Sequence, residues 1–284
     1  AAGINRLSLG VQSFQDALLD RIGRIHSGLE ARRAFDMARE AGFDNINLDL
    51  MFGLPGQTEK TFLLDLQTAV RLGPEHISWY QLTIEPNTRF AANPPPQPTD
   101  DVLAEWTEQG AQWLERHGYE RYEVSAYATA GRQCVHNLNY WQFGDYLGIG
   151  AGAHSKITLA DEQRVLRLRK TKRPGSYLQK KEKTAAQWTV ETPDLIFEFM
   201  LNAMRLKAGV EASLFTRHTG LPINVIAPVM QDLMNQSLVT GWPERIELTA
   251  HGFNHLNAIL EFFLPDALAK KQAQVPVQWL DAGR

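Results

Sequence analysis

Cysteine is almost absent from this sequence. Cys134 is the only cysteine in 284 residues, which excludes an internal disulfide and suits a reducing compartment such as the cytosol. A single thiolate also cannot hold an iron–sulfur cluster, because such clusters take three or four cysteine ligands. We therefore expect no cluster ligands in this chain.

Strong charge and long apolar runs are also absent. The formal net charge of -3 gives no general attraction to nucleic acid or to anionic membranes. No apolar run approaches the roughly 18 residues that span a bilayer, and the first residues do not have the basic and apolar regions of a secretory signal. We expect a cytoplasmic protein without a nucleic-acid partner.

Strand-like and helix-like segments alternate through the first 120 residues. Apolar runs predict strands at 6–11, 45–52 and 77–84, and amphipathic patterns predict helices beginning near 14 and over 29–41, 58–72 and 100–117. Strands that alternate with helices predict βαβ units and a parallel sheet, and the repeat of about 35 residues is near that of a βα barrel. We predict an α/β fold, a partial parallel βα barrel.

The chain begins almost directly in its first predicted strand. A sheet of three parallel strands would expose an apolar edge at that strand, and the first residue is Ala1 and not methionine. We expect the first strands of the barrel to be missing, roughly a hundred residues if three such units precede.

Basic residues are concentrated between Arg164 and Lys183, with nine lysines or arginines and one acidic residue. Such a run is typical of an anion-binding or nucleic-acid-binding patch. Apolar Val165, Leu166 and Leu168 alternate with basic residues, however, and this alternation favours a solvated strand and linker.

The last third of the chain has a helical pattern. Helices are predicted at 195–206, 212–218, 223–235 and 251–263, with two short strands at 238–241 and 245–248. This order resembles a winged helix-turn-helix, but the third helix contains no lysine or arginine, which argues against DNA reading. We predict a partial barrel over 1–156, a basic linker or strand segment over 157–191, and a helical, winged-helix-like C-terminal domain over 192–284. This last domain is expected to act as a cap or as a docking domain.

Three polar residues are candidates for a ligand site at the carboxyl ends of the predicted strands, where parallel sheets bind ligands. Gln12 follows the first strand, and its alternative role is that of a turn residue. Asp49 lies within an apolar strand, where a carboxylate needs a partner, either from the protein or from a ligand. Arg24 follows the first helix and is within reach of the same region, unless it is a solvated helix-end cation.

The segment His136-Asn-Leu-Asn-Tyr-Trp141 contains an imidazole, two amides and two aromatic rings. These groups can stack on and hydrogen-bond to a flat ligand with polar edges, and imidazole is a common haem-iron ligand. A zinc site formed with Cys134 is a poor alternative, because structural zinc sites take more thiolates. The glycine-rich run 147–155 allows close backbone approach but is not a dinucleotide fingerprint.

Three motifs resemble one family. Ser8-Leu-Gly-Val-Gln-Ser13, Asp49-Leu-Met-Phe-Gly-Leu-Pro-Gly-Gln57 and Leu147-Gly-Ile-Gly-Ala-Gly-Ala-His154 are similar to the radical S-adenosylmethionine (SAM) proteins related to oxygen-independent coproporphyrinogen III oxidase. The resemblance runs along nearly the whole chain. Within that group, the segment 136–141 resembles the haem chaperone branch.

The resemblance implies three cofactors or ligands. It implies a [4Fe–4S] cluster on a Cys-x₃-Cys-x₂-Cys loop that this chain does not contain, and SAM bound to that cluster. It places five residues at SAM contacts: Gln12, Arg24, Asp49, Thr83 and His154. It also places His136 at the haem iron, supported by Asn137, Tyr140 and Trp141.

Two functions from different classes follow, and a third interpretation stays open. The first is a haem carrier that delivers haem to respiratory haem proteins, at the membrane surface without insertion and with the C-terminal domain recognising the acceptor. The second is an enzyme, the oxidative decarboxylation of coproporphyrinogen III. The third is an inactive, truncated relative. We expect no cluster-dependent activity from this chain, and the sequence predicts no oligomeric state.

Overall fold

A computed structural model describes residues 3–159 and 162–268 of the chain. The fold divides after Cys134 into two compact units, Ala1–Cys134 and Val135–Arg284, which are described separately below. Within the described part of the chain, no helix combines the length and the apolar character needed to cross a membrane.

The first unit contains a five-stranded sheet. Its strands are β1 (Leu7–Gln12), β2 (Ile46–Phe52), β3 (His76–Gln81), β4 (Glu120–Glu123) and β5 (Ala126–Ala128), in the spatial order β1-β2-β3-β5-β4. The first three strands pair in parallel, as the sequence predicts, and β5 and β4 extend the sheet in antiparallel fashion.

Five helices accompany this sheet: α1 (Asp16–Arg21), α2 (Gly28–Glu40), α3 (Glu59–Leu72), α4 (Arg89–Ala92) and α5 (Asp100–Arg116). Ser27 and Thr58 begin α2 and α3 with capping boxes, which satisfy backbone donors of the first turn. Gly73 ends α3 in the left-handed conformation, with φ of 69°. Leu48 and Leu50 of β2 are buried in the core that these helices cover.

The second unit opens with the short helix α6 (Val135–Trp141) and a three-stranded antiparallel sheet. The sheet has the order β6-β7-β8 and consists of β6 (His154–Leu159), β7 (Arg164–Lys170) and β8 (Thr184–Thr189), with helix α7 (Pro174–Gln179) between β7 and β8. The basic segment therefore supplies the central strand of a sheet. The predicted domain boundaries at 156 and 191 remain predictions.

Helices and a small sheet form the rest of the second unit. The elements are α8 (Thr192–Ala203), β9 (Val210–Glu211), α9 (Ser213–Thr219), a 3₁₀ turn (Ile223–Val225), α10 (Ala227–Asn235), β10 (Val239–Thr240), β11 (Arg245–Leu248), α11 (Ala250–Asn254) and α12 (Leu256–Glu261). The sheet order is β10-β11-β9, so the predicted two-stranded wing gains a third strand. Pro228 stands in the first turn of α10, where its missing N–H is tolerated, and the predicted single helix is therefore a turn followed by a helix.

Candidate functional site

Tyr80, near the end of β3, is the centre of a polar cluster in the first unit. Its hydroxyl donates a hydrogen bond to Gln12 Oε1 over 2.9 Å. Burial raises the pKa of Tyr80, the charge of Asp49 raises it further, and the charge of Arg24 lowers it. The structure thus brings Gln12, Asp49 and Arg24, three of the residues predicted to contact SAM, into the surroundings of one tyrosine that the sequence had not indicated.

Gln12 has an unusual backbone conformation. Its φ is 68°, in the left-handed region that costs a non-glycine residue on the order of 1–3 kcal/mol. The parallel register between β1 and β2 is interrupted between Leu9 and Gln12, and the Gln12 side chain is buried. The strand end is therefore held in a strained geometry that aims the amide at Tyr80.

Asp49 obtains its partners from the protein itself. Ser8 Oγ donates to Asp49 Oδ2 over 3.0 Å, and Asn47 Nδ2 donates to Asp49 Oδ1 over 2.7 Å. Asn47 Nδ2 also contacts Ser8 Oγ at 2.6 Å. A carboxylate has about four acceptor positions, so these two bonds satisfy a half-buried charge and leave acceptor capacity for a ligand.

A buried hydrogen-bond chain lies behind Asp49. His76 is fully buried, its Nδ1 is 2.6 Å from Asn47 Oδ1, and its Nε2 is 2.9 Å from the Tyr122 hydroxyl. The amide oxygen only accepts, so Nδ1 donates to it and Nε2 accepts from Tyr122. Burial, with a contribution from the charge of Arg6, lowers the pKa of His76 to about 3. The histidine is therefore neutral, and it orients the amide that holds Asp49.

Thr83 follows the end of β3 in the first unit. It is exposed after β3 and lines a cavity of about 510 Å³ together with Arg21, Ile22 and Phe90. Its predicted contact with SAM stays a prediction.

The candidate haem segment forms helix α6 of the second unit. His136 is exposed, and its ring stands edge-on to Tyr140, with centroids 4.6 Å apart and an interplanar angle of 89°. Tyr140 in turn contacts the ring of Tyr146 at 4.5 Å. An imidazole available to solvent and supported by a row of aromatic rings can ligate a metal at the face of a flat ligand.

The end of α6 is anchored on the protein. The Arg205 guanidinium lies 4.3 Å from the ring centre of Trp141, a cation–π contact, and Trp141 Nε1 is buried without a hydrogen-bond partner in the described structure. Asn139 Nδ2 donates to the carbonyl of Asp145 over 3.0 Å. Asn137 is half-buried. Asn139 thus fixes the turn after the helix, a structural role that the sequence did not predict for it.

A buried lysine supports the same turn. Lys156, 1% exposed, donates through Nζ to the Phe143 carbonyl (2.9 Å), Asp145 Oδ1 (2.8 Å) and Thr158 Oγ1 (3.1 Å). Burial lowers the pKa of Lys156, while Asp145 opposes this effect. Burial would raise the pKa of Asp145, but hydrogen bonds from Lys156 and Thr158 outweigh it, so the pKa lies below its ordinary value. The ion pair holds the turn against β6.

The glycine-rich run connects this turn to β6. A Cβ on Gly148 would lie 2.2 Å from the carbonyl oxygen of His154, so only glycine fits there. Leu147 and Ile149 on either side are 75% and 90% exposed. His154 is also exposed, and it lines a basic cavity with Arg169. Its predicted contact with SAM stays a prediction.

A [4Fe–4S] cluster does not fit the residues present. Within residues 3–159 and 162–268, no three His, Cys, Asp or Glu side chains are grouped as metal ligands. The single cysteine of the sequence, Cys134, is buried.

Two family profiles match the chain. The profile of the Radical SAM superfamily matches residues 1–69, and that of the HemN C-terminal domain matches residues 190–254.

Curated relatives match most of the chain. Heme chaperone HemW of Escherichia coli (strain K12) is 48% identical over 265 residues, which cover 93% of this chain and 70% of that protein. Heme chaperone HemW of Bacillus subtilis (strain 168) is 38% identical over 272 residues, with the same two coverages of 93% and 70%. Radical S-adenosyl methionine domain-containing protein 1, mitochondrial, of Mus musculus is 42% identical over 161 residues, 55% of this chain and 36% of that protein.

One solved structure shares the fold. Coproporphyrinogen III oxidase (HemN) from Escherichia coli, described as a radical SAM enzyme, matches with a TM-score of 0.73 and 20% sequence identity. The match covers 92% of this chain, which spans 64% of the length of that chain. At this identity the likeness shows the fold alone, and it confirms the predicted α/β fold of the radical SAM type with a helical C-terminal region.

Proposed function

The chain belongs to the family of heme chaperone HemW, within the radical SAM superfamily, and from this premise we propose that it binds haem and passes it to haem-dependent proteins. The relatives with that name match 93% or 94% of the chain. Fold similarity to the coproporphyrinogen oxidase at 20% identity does not by itself favour the enzymatic alternative.

The observation that carries the proposal is the exposed imidazole of His136 on α6, beside the ring of Tyr140. A neutral imidazole ligates haem iron through one ring nitrogen, and an adjacent aromatic ring can pack against the macrocycle. Trp141 secures the end of the helix through Arg205. In this proposal Asn137 and Tyr140 contact the haem, and Trp141 positions the helix.

The chain also contributes part of a SAM site in this proposal. Gln12, Arg24 and Asp49 surround Tyr80 near the carboxyl ends of β1–β3, where parallel sheets bind ligands. The carboxylate of Asp49, with free acceptor capacity, suits the hydroxyl or amine groups of SAM. Cluster chemistry has no part in this proposal, because the single cysteine of the chain cannot supply the ligands of a [4Fe–4S] cluster.

Delivery follows from the carrier role. The acceptors are haem-receiving apo-proteins. The candidate docking surface is the C-terminal region that contains the sheet β10-β11-β9. In this proposal the carrier works in the cytoplasm, whose reducing conditions the single cysteine suits, and it meets its acceptors at the membrane surface without insertion.

A haemin titration followed by visible absorption tests the proposal. The wild-type chain is expected to give a saturable shift of the Soret band, and His136→Ala to bind at least tenfold more weakly, a loss of about 1.4 kcal/mol. His251→Ala is the matched control, because His251 is also exposed in the second unit but lies on α11. Equal, unsaturable signals from all three proteins would overturn the assignment of His136.

A further inference from the structure

We infer that the basic cavity beside the glycine-rich run binds the carboxylate groups of haem, an inference that rests on the proposed haem function. The cavity has a volume of about 560 Å³ and is lined by Ala151, Gly152, His154, Arg169, Lys170, Lys172 and Ala185. Three of these side chains carry a permanent positive charge at neutral pH, and none is acidic.

The cavity is built from the ends of strands. His154 of β6 pairs directly across the sheet with Arg169 of β7. The backbone N–H of Lys170 donates to the carbonyl of Ala153 over 2.8 Å, and that of Gly152 donates to the carbonyl of Thr171 over 3.0 Å. The loop is therefore tied to the end of β7, and the three cationic residues line one space.

The positive charge of the cavity is only partly balanced. Lys170 Nζ donates to Thr184 Oγ1 over 3.1 Å, and its charge contributes to lowering the pKa of nearby Glu182, which does not line the cavity. Within the described chain, Arg169 and Lys172 form no ion pair. Like charges held together repel unless an anion joins them, and a guanidinium fork suits a carboxylate.

The segments that precede the cavity in the chain favour haem as the source of the carboxylate. Tyr140 of α6 contacts Tyr146, and the exposed Leu147 and Ile149 follow it before the cavity begins at Ala151. Along the chain of the second unit, an imidazole-bearing helix, two exposed apolar side chains and a cluster of cations thus follow one another. Haem has the same order of chemistry: a metal centre, an apolar ring and two propionate carboxylates at one edge.

Titrations with haemin and with haemin dimethyl ester, whose carboxylates carry no charge, test the inference. We expect the wild-type chain to bind haemin about tenfold more tightly than the ester. The double variant Arg169→Gln/Lys172→Gln is expected to lose that preference, whereas Lys180→Gln/Lys181→Gln, which removes two charges of the same basic segment outside the cavity, keeps it. Circular dichroism verifies that both variants are folded, as expected for substitutions of exposed side chains.

The outcomes separate the two proposals. Equal wild-type affinity for haemin and the ester, with His136→Ala still weakening both, would overturn the carboxylate site and leave haem binding intact. If both double variants lost the preference for haemin equally, the carboxylate site would also be overturned, because the preference would then come from the overall charge of the basic segment. Failure of the wild-type chain to bind either compound would overturn both proposals.

Discussion

Acid is expected to destabilise the first unit through His76. The pKa of this buried imidazole falls from its ordinary value of 6.5 to about 3 in the folded chain. Between these two values the unfolded chain binds a proton that the folded chain does not, so stability is full above pH 6.5 and is lost as the pH falls toward 3. At pH 5 this linkage amounts to about 2 kcal/mol relative to pH 8.

The variant His76→Gln isolates this effect. Glutamine keeps a donor and an acceptor near Asn47 and Tyr122 but does not titrate. The free energy of unfolding of the variant is therefore expected not to show the decrease of about 2 kcal/mol between pH 8 and pH 5 that His76 causes in the wild type. Urea unfolding is monitored through the hydrogen exchange of peptides from β2 and β3, so that the measurement reports on the first unit alone. Asp65, whose pKa burial raises, acts in the opposite direction but is common to both proteins. The same pH dependence in variant and wild type would refute the reasoning.

Three further predictions concern the two candidate sites. Lys156→Met is expected to destabilise the second unit by about 2 kcal/mol, because three acceptors lose a buried donor; an unchanged urea midpoint would contradict this role. Gly148→Ala should cost about 1–3 kcal/mol, because its Cβ would meet the carbonyl of His154, whereas Gly175→Ala, in open space on α7, should keep or slightly raise the melting temperature, because alanine favours a helix. Tyr80→Phe should weaken SAM binding in equilibrium dialysis about fivefold by freeing the Gln12 amide, and equal affinities would remove Tyr80 from the site.

The parallel strands of the first unit were predictable because apolar residues recur along each of these six- or seven-residue segments. Strands β4 and β5 were missed, since Glu120–Glu123 is polar and Ala126–Ala128 is short. The helix predicted to begin near 14 begins at Asp16 instead, and Ser13 before it donates through Oγ to Asp65 Oδ2 over 2.7 Å. That contact joins residues far apart in sequence, which local patterns do not encode.

Residues of the candidate site were predictable from the sequence only where a single residue differs in polarity from its neighbours. Gln12 stands out as a polar residue at the end of a strand, and Asp49 as a carboxylate within an apolar strand. His76 and Asn47 were not predicted, because their partnership depends on the register that places them opposite each other in β2 and β3. Tyr80 was missed for a related reason: a tyrosine in an apolar strand indicates core packing until its hydroxyl partner is known.

Haem transfer tests the central claim most directly, because a carrier must both hold haem and release it. The chain, loaded with one equivalent of haem, is mixed with excess apomyoglobin, and the Soret band of the globin is followed in time. We predict complete transfer from the wild-type chain, at a rate at least tenfold slower than from His136→Ala, because weaker ligation appears mainly as faster dissociation. Equal rates from the two proteins, or haem that stays on the wild-type chain, would contradict a haem chaperone that works through His136.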